Sequence, residues 1–447
     1  MDFKIVKTKK DSGEFLKTCG TGTFVSDSAT EMQIVNIVPE VEYQTIDGFG
    51  GAFTEAASTT LDKLSPNSRE KILKAYFDKK DGIGYNFCRT HINSCDFALG
   101  NYTYVKEGDK TLATFDIERD RKSLLPMIKD AKKYGSFKLF ASPWSPPAYM
   151  KTSKKMNEGG KLLPNYFDLW AEYFAKYINE YKKEGVDVFA VTVQNEPKAV
   201  QPWDSCIYTA EEERDFVKNH LGKKMRDIGI EIFFWDHNKE RVYDRAKVMF
   251  SDTDAAAYTS GLAFHWYSGD HFEELEMFNK MYPGKKLIFS EGCREYSLGK
   301  IDSWDIGEAY AHDIIGNFNN YCNAFCDWNL LLNEIGGPNH VKNYCDAPIM
   351  ADTRTDEVIL NSSYYYIGQF SKFVEAGAKR IGSSKWTDKI EVCAFKNPNG
   401  EIVAVILNRQ ETDFACKLRI GDNTADIVSE ARSIMTVIIS DYRPFIS

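Results

Sequence analysis

Along most of the chain, short runs of consecutive apolar residues alternate with longer stretches in which apolar positions recur every three or four residues. The short runs are 45–50 (TIDGFG), 83–89 (IGYNFCR), 137–141 (FKLFA), 186–193 (VDVFAVTV), 231–235 (EIFFW), 262–266 (LAFHW), 286–289 (KLIF) and 324–328 (AFCDW). Runs of this length predict buried strands. Between them, the stretch 165–184 carries Tyr166, Phe167, Trp170, Phe174, Tyr177, Ile178 and Tyr181 at helical spacing, and Gly185 stands where a helix C-terminal glycine belongs. Thr209 with Glu212 reads as a capping box, so the acidic run 211–213 is a helix start. Eight strands alternating with helices over residues 45–330 predict a (β/α)8 TIM barrel. A doubly wound sheet would carry a glycine-rich phosphate loop after its first strand. The segment 48–53 (GFGGAF) lacks the third glycine of that fingerprint, and no P-loop sequence occurs.

After residue 375 the pattern changes to alternating, strand-like segments at 389–395, 402–407, 413–420 and 433–440, with Asn397-Pro-Asn-Gly400 as a hairpin turn. The N-terminal Phe24-Val25 and 32–38 (MQIVNIV) are strand-like too. The expected organisation is therefore α/β: a barrel over 45–377 and an all-β module over 378–447, with 1–44 as the candidate segment to complete it.

The 447 residues contain 14% aromatics, a surplus that must fill a core or line a cleft. The net charge of −9 and the lack of a long basic stripe argue against nucleic acid as a partner. No apolar run is long enough to cross a bilayer. The first residues, MDFKIVKTKK, do not read as a secretory signal. Cys88, Cys293, Cys326 and Cys393 lie in or beside apolar runs as buried thiols would, and the ten cysteines form no CxxC pair. A cytoplasmic location is expected, or a secreted one from which a leader was removed. Oligomeric state is not legible.

In a barrel enzyme the chemistry sits at the C-terminal strand ends. Reading those ends gives Asp47, Arg89, Trp144, Asn195, Glu196, Asp236, His265, Tyr267, Glu291 and Trp328. Each alone has an ordinary structural role available. Two carboxylates, Glu196 and Glu291, on the fourth and seventh strands are the combination that glycoside hydrolysis needs. Pro197 predicts that Glu196 is held extended at its strand tip. His265 and Tyr267, two apart, share a face and could hold a neighbouring carboxylate ionised, with Trp266 turned away. Trp144 and Trp328 are expected as exposed platforms for sugar rings. His91, His237 and His265 keep a metal-dependent barrel hydrolase open as an alternative.

Several blocks together resemble glycoside hydrolase family 30, in its glucosylceramidase-like (acid β-glucosidase) branch. They are DGFGGAFTEAA (47–57), GIGYNFCRTHINSCDF (82–97), LFASPWSPPAYMK (139–151), FAVTVQNEP (189–197), HWY (265–267), FSEGC (289–293), DWNLLLNEIGGPNHVKNYCDAPI (327–349) and FSKFVEAGAKRI (370–381). The resemblance implies a (β/α)8 TIM barrel with a β-sandwich formed from both chain termini, 1–44 with 378–447, and a retaining hydrolase with Glu196 as acid/base and Glu291 as nucleophile. It implies Asn195 on the sugar 2-hydroxyl, Arg89 and Tyr267 on Glu291, and Asp96, Trp144 and Trp328 at the far side of a terminal glucose. Asn343 falls in a block at the pocket rim. No metal or organic cofactor is implied. The expected substrate is a carbohydrate: β-glucosides, β-1,6-gluco-oligosaccharides or glucosylceramide-like molecules, with endo-β-1,6-glucanase, β-xylosidase or β-fucosidase activity as the alternative. Tyr149 stands where many relatives carry Trp, and the loop 198–207, expected on the leaving-group side, departs from the family pattern.

Overall fold

The structure, a computed structural model, describes residues 1–29, 33–295 and 303–442. Eight parallel strands close a barrel: Gly48–Phe53, Phe87–Ile92, Lys138–Pro143, Ala190–Thr192, Glu231–Asn238, Gly261–His265, Lys286–Glu291 and Ala324–Asn329. Every predicted apolar run overlaps one of them. The first strand is displaced, however, because its buried Gly48-Phe-Gly-Gly-Ala-Phe53 run has a loop-like composition. Asp47 consequently precedes the strand and lies at the opposite end of the barrel from the mouth, where Lys286 Nζ donates to it at 2.7 Å. It is not a mouth residue.

The helix over Phe167–Lys183 buries Trp170, Phe174, Tyr177, Ile178 and Tyr181 on one face, and Gly185 adopts φ +77° just past its end. Thr209 and Glu212 form the reciprocal capping box ahead of the helix Ala210–Phe216. A small sheet of Leu332–Asn333, Ile349–Asp352 and Glu357–Leu360 follows the eighth barrel strand.

Both chain ends build the β-sandwich. Asp2–Lys9 pairs antiparallel with Ser433–Ile439 and with Glu14–Thr23. Ile34–Thr45 lies between Lys379–Lys385 and Phe414–Ile420. Ile390–Lys396, Ile402–Asn408 and Asn423–Ser429 complete the larger strands of this sheet system. Met32, at the start of the expected N-terminal strand, lies outside the described residues. Val35, Ile37, Ile381, Ala404, Ile406, Leu418 and Val437 form the sandwich core.

Inside the barrel, Phe87, Phe140, Ala190, Phe233, Ala263, Ile288 and Ala324 pack into an apolar plug. At Gly50 the first strand leaves no room for a side chain: a Cβ there would lie 1.9 Å from the Phe87 carbonyl oxygen of the second. Gly50→Ala must therefore displace backbone and is expected to lower stability by about 3 kcal/mol. Gly20, whose Cβ would meet nothing within 4 Å, tolerates alanine to within about 0.5 kcal/mol. Urea unfolding of the two variants checks the contrast.

Candidate active site

Side chains above the plug follow strand alternation, modified at two bulges. Two positions beyond plug residues, Arg89, Ser142, Thr192, His265 and Ser290 turn inward and are buried. On the fifth strand, pairing with its neighbour skips from Trp235 to His237, which makes Asp236 an extra residue. Trp235 and Asp236 both take left-handed φ values, 73° and 49°. The bulge sends Trp235 to the outer core and brings Asp236 inside, a position that plain alternation from Phe233 would give to Trp235. On the seventh strand, pairing skips from Phe289 to Glu291, so Ser290, inward by alternation from Ile288, is the extra residue and Glu291 follows it at the mouth.

Arg89 is fully buried at the centre. It donates to Glu291 Oε2 at 2.6 Å, Asp236 Oδ2 at 2.7 Å, Asn195 Oδ1 at 2.9 Å and Ser142 Oγ at 3.0 Å. Asp236 also accepts from Thr192 Oγ1 and Ser290 Oγ, both at 2.6 Å, and lies 3.0 Å from His265 Nε2. Burial alone would raise its carboxyl, but the facing Arg89 and His265 hold it far below the usual range. Burial likewise disfavours charge on His265, yet Glu291, Asp236 and Glu196 together push it up to about 9.

Glu291 is 6% exposed and Tyr267 donates its hydroxyl to it at 2.9 Å. Glu196 adopts φ +48°, a left-handed turn rather than the expected extended conformation. Its N–H donates to the Asp236 carbonyl at 3.0 Å and its own carbonyl accepts from Ala199 N–H at 2.9 Å, so the chain reverses directly after the fourth strand. His265 Nδ1 stands 3.5 Å from Glu196 Oε1 and 4.0 Å from Glu291 Oε1. One oxygen of each carboxyl and this nitrogen all lie within 4.8 Å of one another. The two carboxyls therefore titrate as a pair. Burial raises Glu291 against the opposing pull of His265 and Arg89. For Glu196 burial is outweighed by the charged ring of His265, and it comes down.

The remaining expected residues fall around one cavity of about 1200 Å³, lined by Asp96, Trp144, Asn195, Tyr267, Trp328 and Asn343 among others. The tryptophans are not exposed platforms. Each is 2% exposed, and they stack on each other at 5.1 Å with the Arg89 guanidinium against both. Their faces pair within the wall, and the contact of each ring with the guanidinium offsets part of the cost of burying that charge. Trp266 turns away from the pair it separates, with its N–H on the Cys293 carbonyl at 3.2 Å. Asp96 is held well above the usual carboxyl range, by burial first and then by Glu291 and Glu196; Asn339 donates to it at 3.3 Å.

The loop 198–207 borders the cavity through Gln201, which donates to Glu196 Oε2 at 3.4 Å, and through Trp203. Its Trp203 packs on the Trp144–Trp328 cluster, and Asp204 accepts from Ser94 at 2.6 Å and pairs with His340 at 3.0 Å. Buried Lys151 anchors the same loop through the Ser205 carbonyl at 2.6 Å. Tyr149 is outside the cavity lining, donating to the Asp109 carbonyl at 2.5 Å. The histidine triad of the metal alternative is not assembled. His91 accepts from the Glu55 N–H at 3.2 Å and its other nitrogen meets the Asn93 carbonyl at 2.6 Å. Where Glu196, His265 and Glu291 converge, the protonated ring itself supplies positive charge between the carboxylates. Sequence reasoning places Asp236 at a strand end, after the apolar run EIFFW, without giving it a role, and it singles out the loop 198–207 without assigning Gln201 or Trp203 within it.

Residues 46–374 match the Glycosyl hydrolase family 30 TIM-barrel domain, and 377–437 match the Glycosyl hydrolase family 30 beta sandwich domain. The chain is 35% identical to the lysosomal acid glucosylceramidase of Mus musculus over 430 residues, 91% of this chain and 83% of that one. It belongs to glycosyl hydrolase family 30. Among solved structures, SrfJ from Salmonella typhimurium superposes with a TM-score of 0.95 at 37% identity, covering 99% of this chain and 100% of that one. An endo-β1,6-glucanase superposes at 0.89 with 29% identity and the same coverage. This family 30 chain is thus an enzyme, a glycosyl hydrolase, and no helix among its described residues is long and apolar enough to cross a membrane.

The charge on His265 makes a signed prediction for this family 30 enzyme. A cation facing both carboxyls favours their ionised forms, so His265→Gln raises both pKa values. The acidic limb of the kcat/KM–pH profile on an aryl glycoside then moves to higher pH. An acidic limb that stays in place or moves down contradicts a protonated His265.

Proposed function

We propose that this hydrolase cleaves β-glucosidic bonds with net retention, releasing terminal β-glucose from hydrophilic β-glucosides such as β-1,6-linked gluco-oligosaccharides. The observation that carries this reading is the approach of Glu196 and Glu291, with carboxyl oxygens within 4.8 Å. An inverting pair stands about 6.5–9.5 Å apart to admit a water, whereas a retaining pair stands about 5–5.5 Å apart. The names of relatives, a glucosylceramidase and endo-β1,6-glucanases, support β-glucose as the sugar.

Glu291, with Arg89 and Tyr267 donating to it, is the nucleophile in this reading. It attacks the anomeric carbon as the bond to the leaving oxygen breaks, and Glu196 delivers a proton to that oxygen. That proton sits on Glu196 or one transfer away on His265 Nδ1, 3.5 Å distant. Ester formation removes the negative charge of Glu291. Glu196 then takes a proton from water, which attacks the ester and releases Glu291 as carboxylate. Asn195 gives its amide oxygen to Arg89, which leaves its NH2 for the sugar 2-hydroxyl.

Asp96, Trp144 and Trp328 are almost completely buried, so the cavity is closed on their side. That favours attack at a chain end over attack within a chain. All ten cysteines are unpaired, which favours a reducing compartment such as the cytoplasm.

Glu291→Gly is expected to lose at least 10³-fold in kcat on 4-nitrophenyl β-glucoside. Added azide restores turnover and gives the α-glucosyl azide, seen by proton NMR. Glu196→Ala with azide gives the β-anomer instead. Near-normal activity of Glu291→Gly sinks the assignment, and a clear preference for 4-nitrophenyl β-xyloside over the β-glucoside overturns the choice of sugar.

A further inference from the structure

The cavity does not end at the carboxyl pair. Away from Trp144 and Trp328 its lining continues through Asp270, Arg294, Asp305 and His312 to Arg409, which belongs to the β-sandwich. Its volume of about 1200 Å³ exceeds the roughly 300–1,000 Å³ usual for a pocket that takes one small ligand. Room therefore remains beyond a single glucose.

This outer region is built rather than incidental. Asp270 follows the sixth barrel strand, His312 lies on the helix Trp304–Asn319, Glu391 lies on the sandwich strand Ile390–Lys396, and Arg409 directly follows the strand Ile402–Asn408. His312 Nδ1 meets Glu391 Oε2 at 2.6 Å and its Nε2 meets Asp270 Oδ2 at 3.1 Å. The hydrogen bond to Glu391 overcomes burial and raises His312, and the ring bridges two carboxylates from two domains. Arg409 donates to Glu391 Oε1 from Nε at 2.9 Å and contacts it from Nη2 at 2.7 Å. Its side chain remains 42% exposed, and no hydrogen bond is seen from Nη1 among the described residues. The network fixes the guanidinium at the cavity wall with donors to spare.

We propose that the β-sandwich is part of the substrate site, and that Arg409, set by Glu391 and His312, binds sugar units on the leaving-group side, two or more residues from the cleaved bond. The ligand is a saccharide chain and not a lipid tail. Asp270, Arg294, Asp305 and Arg409 are charged and His312 is polar, and covering them with alkyl chain would strip water from them without replacing its hydrogen bonds. Hydroxyl groups replace those bonds, and a guanidinium presents a planar fork of donors to ring hydroxyls. This proposal rests on the reading of Glu196 and Glu291 as the reacting pair, since that pair defines which side the leaving group occupies.

Calorimetric binding of β-1,6-linked glucose di-, tri- and tetrasaccharides to the full chain carrying Glu291→Gln tests it, because binding is read without turnover. Affinity is expected to rise with chain length. Adding Arg409→Ala weakens the tri- and tetrasaccharide about tenfold relative to the disaccharide, and Arg409→Lys recovers part of that loss. Affinity that is flat with chain length, or a loss that is the same for all three sugars, overturns the proposal. Sugar release by the Glu291→Gln chain during the titration instead counts against Glu291 as nucleophile, so the two failures are distinct. Tighter competition by an alkyl glucoside than by the tetrasaccharide also overturns it, in favour of a lipid.

Discussion

The ion pair between Arg89 and Asp236 is the constraint around which the upper barrel is arranged. A guanidinium and a carboxylate with no solvent access are expensive to hold, and removing either partner leaves an uncompensated charge at a cost of about 3–5 kcal/mol. The other hydrogen bonds of Arg89 orient Asn195, reach Glu291 and close on Ser142. Each remaining lone pair of Asp236 fixes Thr192, Ser290 or His265. Side chains from the second to the seventh strands are thereby tied to one another before any sugar arrives. Such rigidity is what preorganised electrostatics requires.

Much of the barrel was legible because its strands are buried on both faces and so read as continuous apolar runs. The first strand was misplaced by its glycines, whose role is to let backbones touch and not to break structure. That shift carried Asp47 to the wrong end. Glu196 and Glu291 stood out because a charge directly after an apolar strand has few places to go. The position of Asp236 was visible but its role was not, since the bulge that turns it inward depends on pairing with a neighbouring strand. Nor does any local pattern distinguish an exposed tryptophan from one stacked on its partner across the barrel; Arg89, on the second strand, lies against both Trp144, after the third strand, and Trp328, on the eighth. Arg409 and His312 are ordinary surface residues in sequence, and their meeting is a product of domain packing.

The sandwich is more than an appendage. Besides the Glu391–His312–Arg409 contact, Arg432 joins the sandwich to the barrel helix through Glu308, at 2.7 Å and 2.9 Å, and also pairs with Asp305 and Glu411. Both junctions involve the helix Trp304–Asn319, whose first turns line the cavity. Domain packing and the shape of the mouth are therefore one property of the molecule.

The pairing of Asp2–Lys9 with Ser433–Ile439 gives the chain an order of assembly. During translation the first strand finds its hairpin partner Glu14–Thr23 at once, while its other edge stays open as the barrel closes behind it. At roughly 5–20 residues per second, tens of seconds pass before the neighbour on that edge is made. Throughout that interval a bare strand edge trails from a nearly finished enzyme. The final fastening of the sandwich is thus a late event, and the wall that carries Arg409 is among the last parts of the molecule to settle into place.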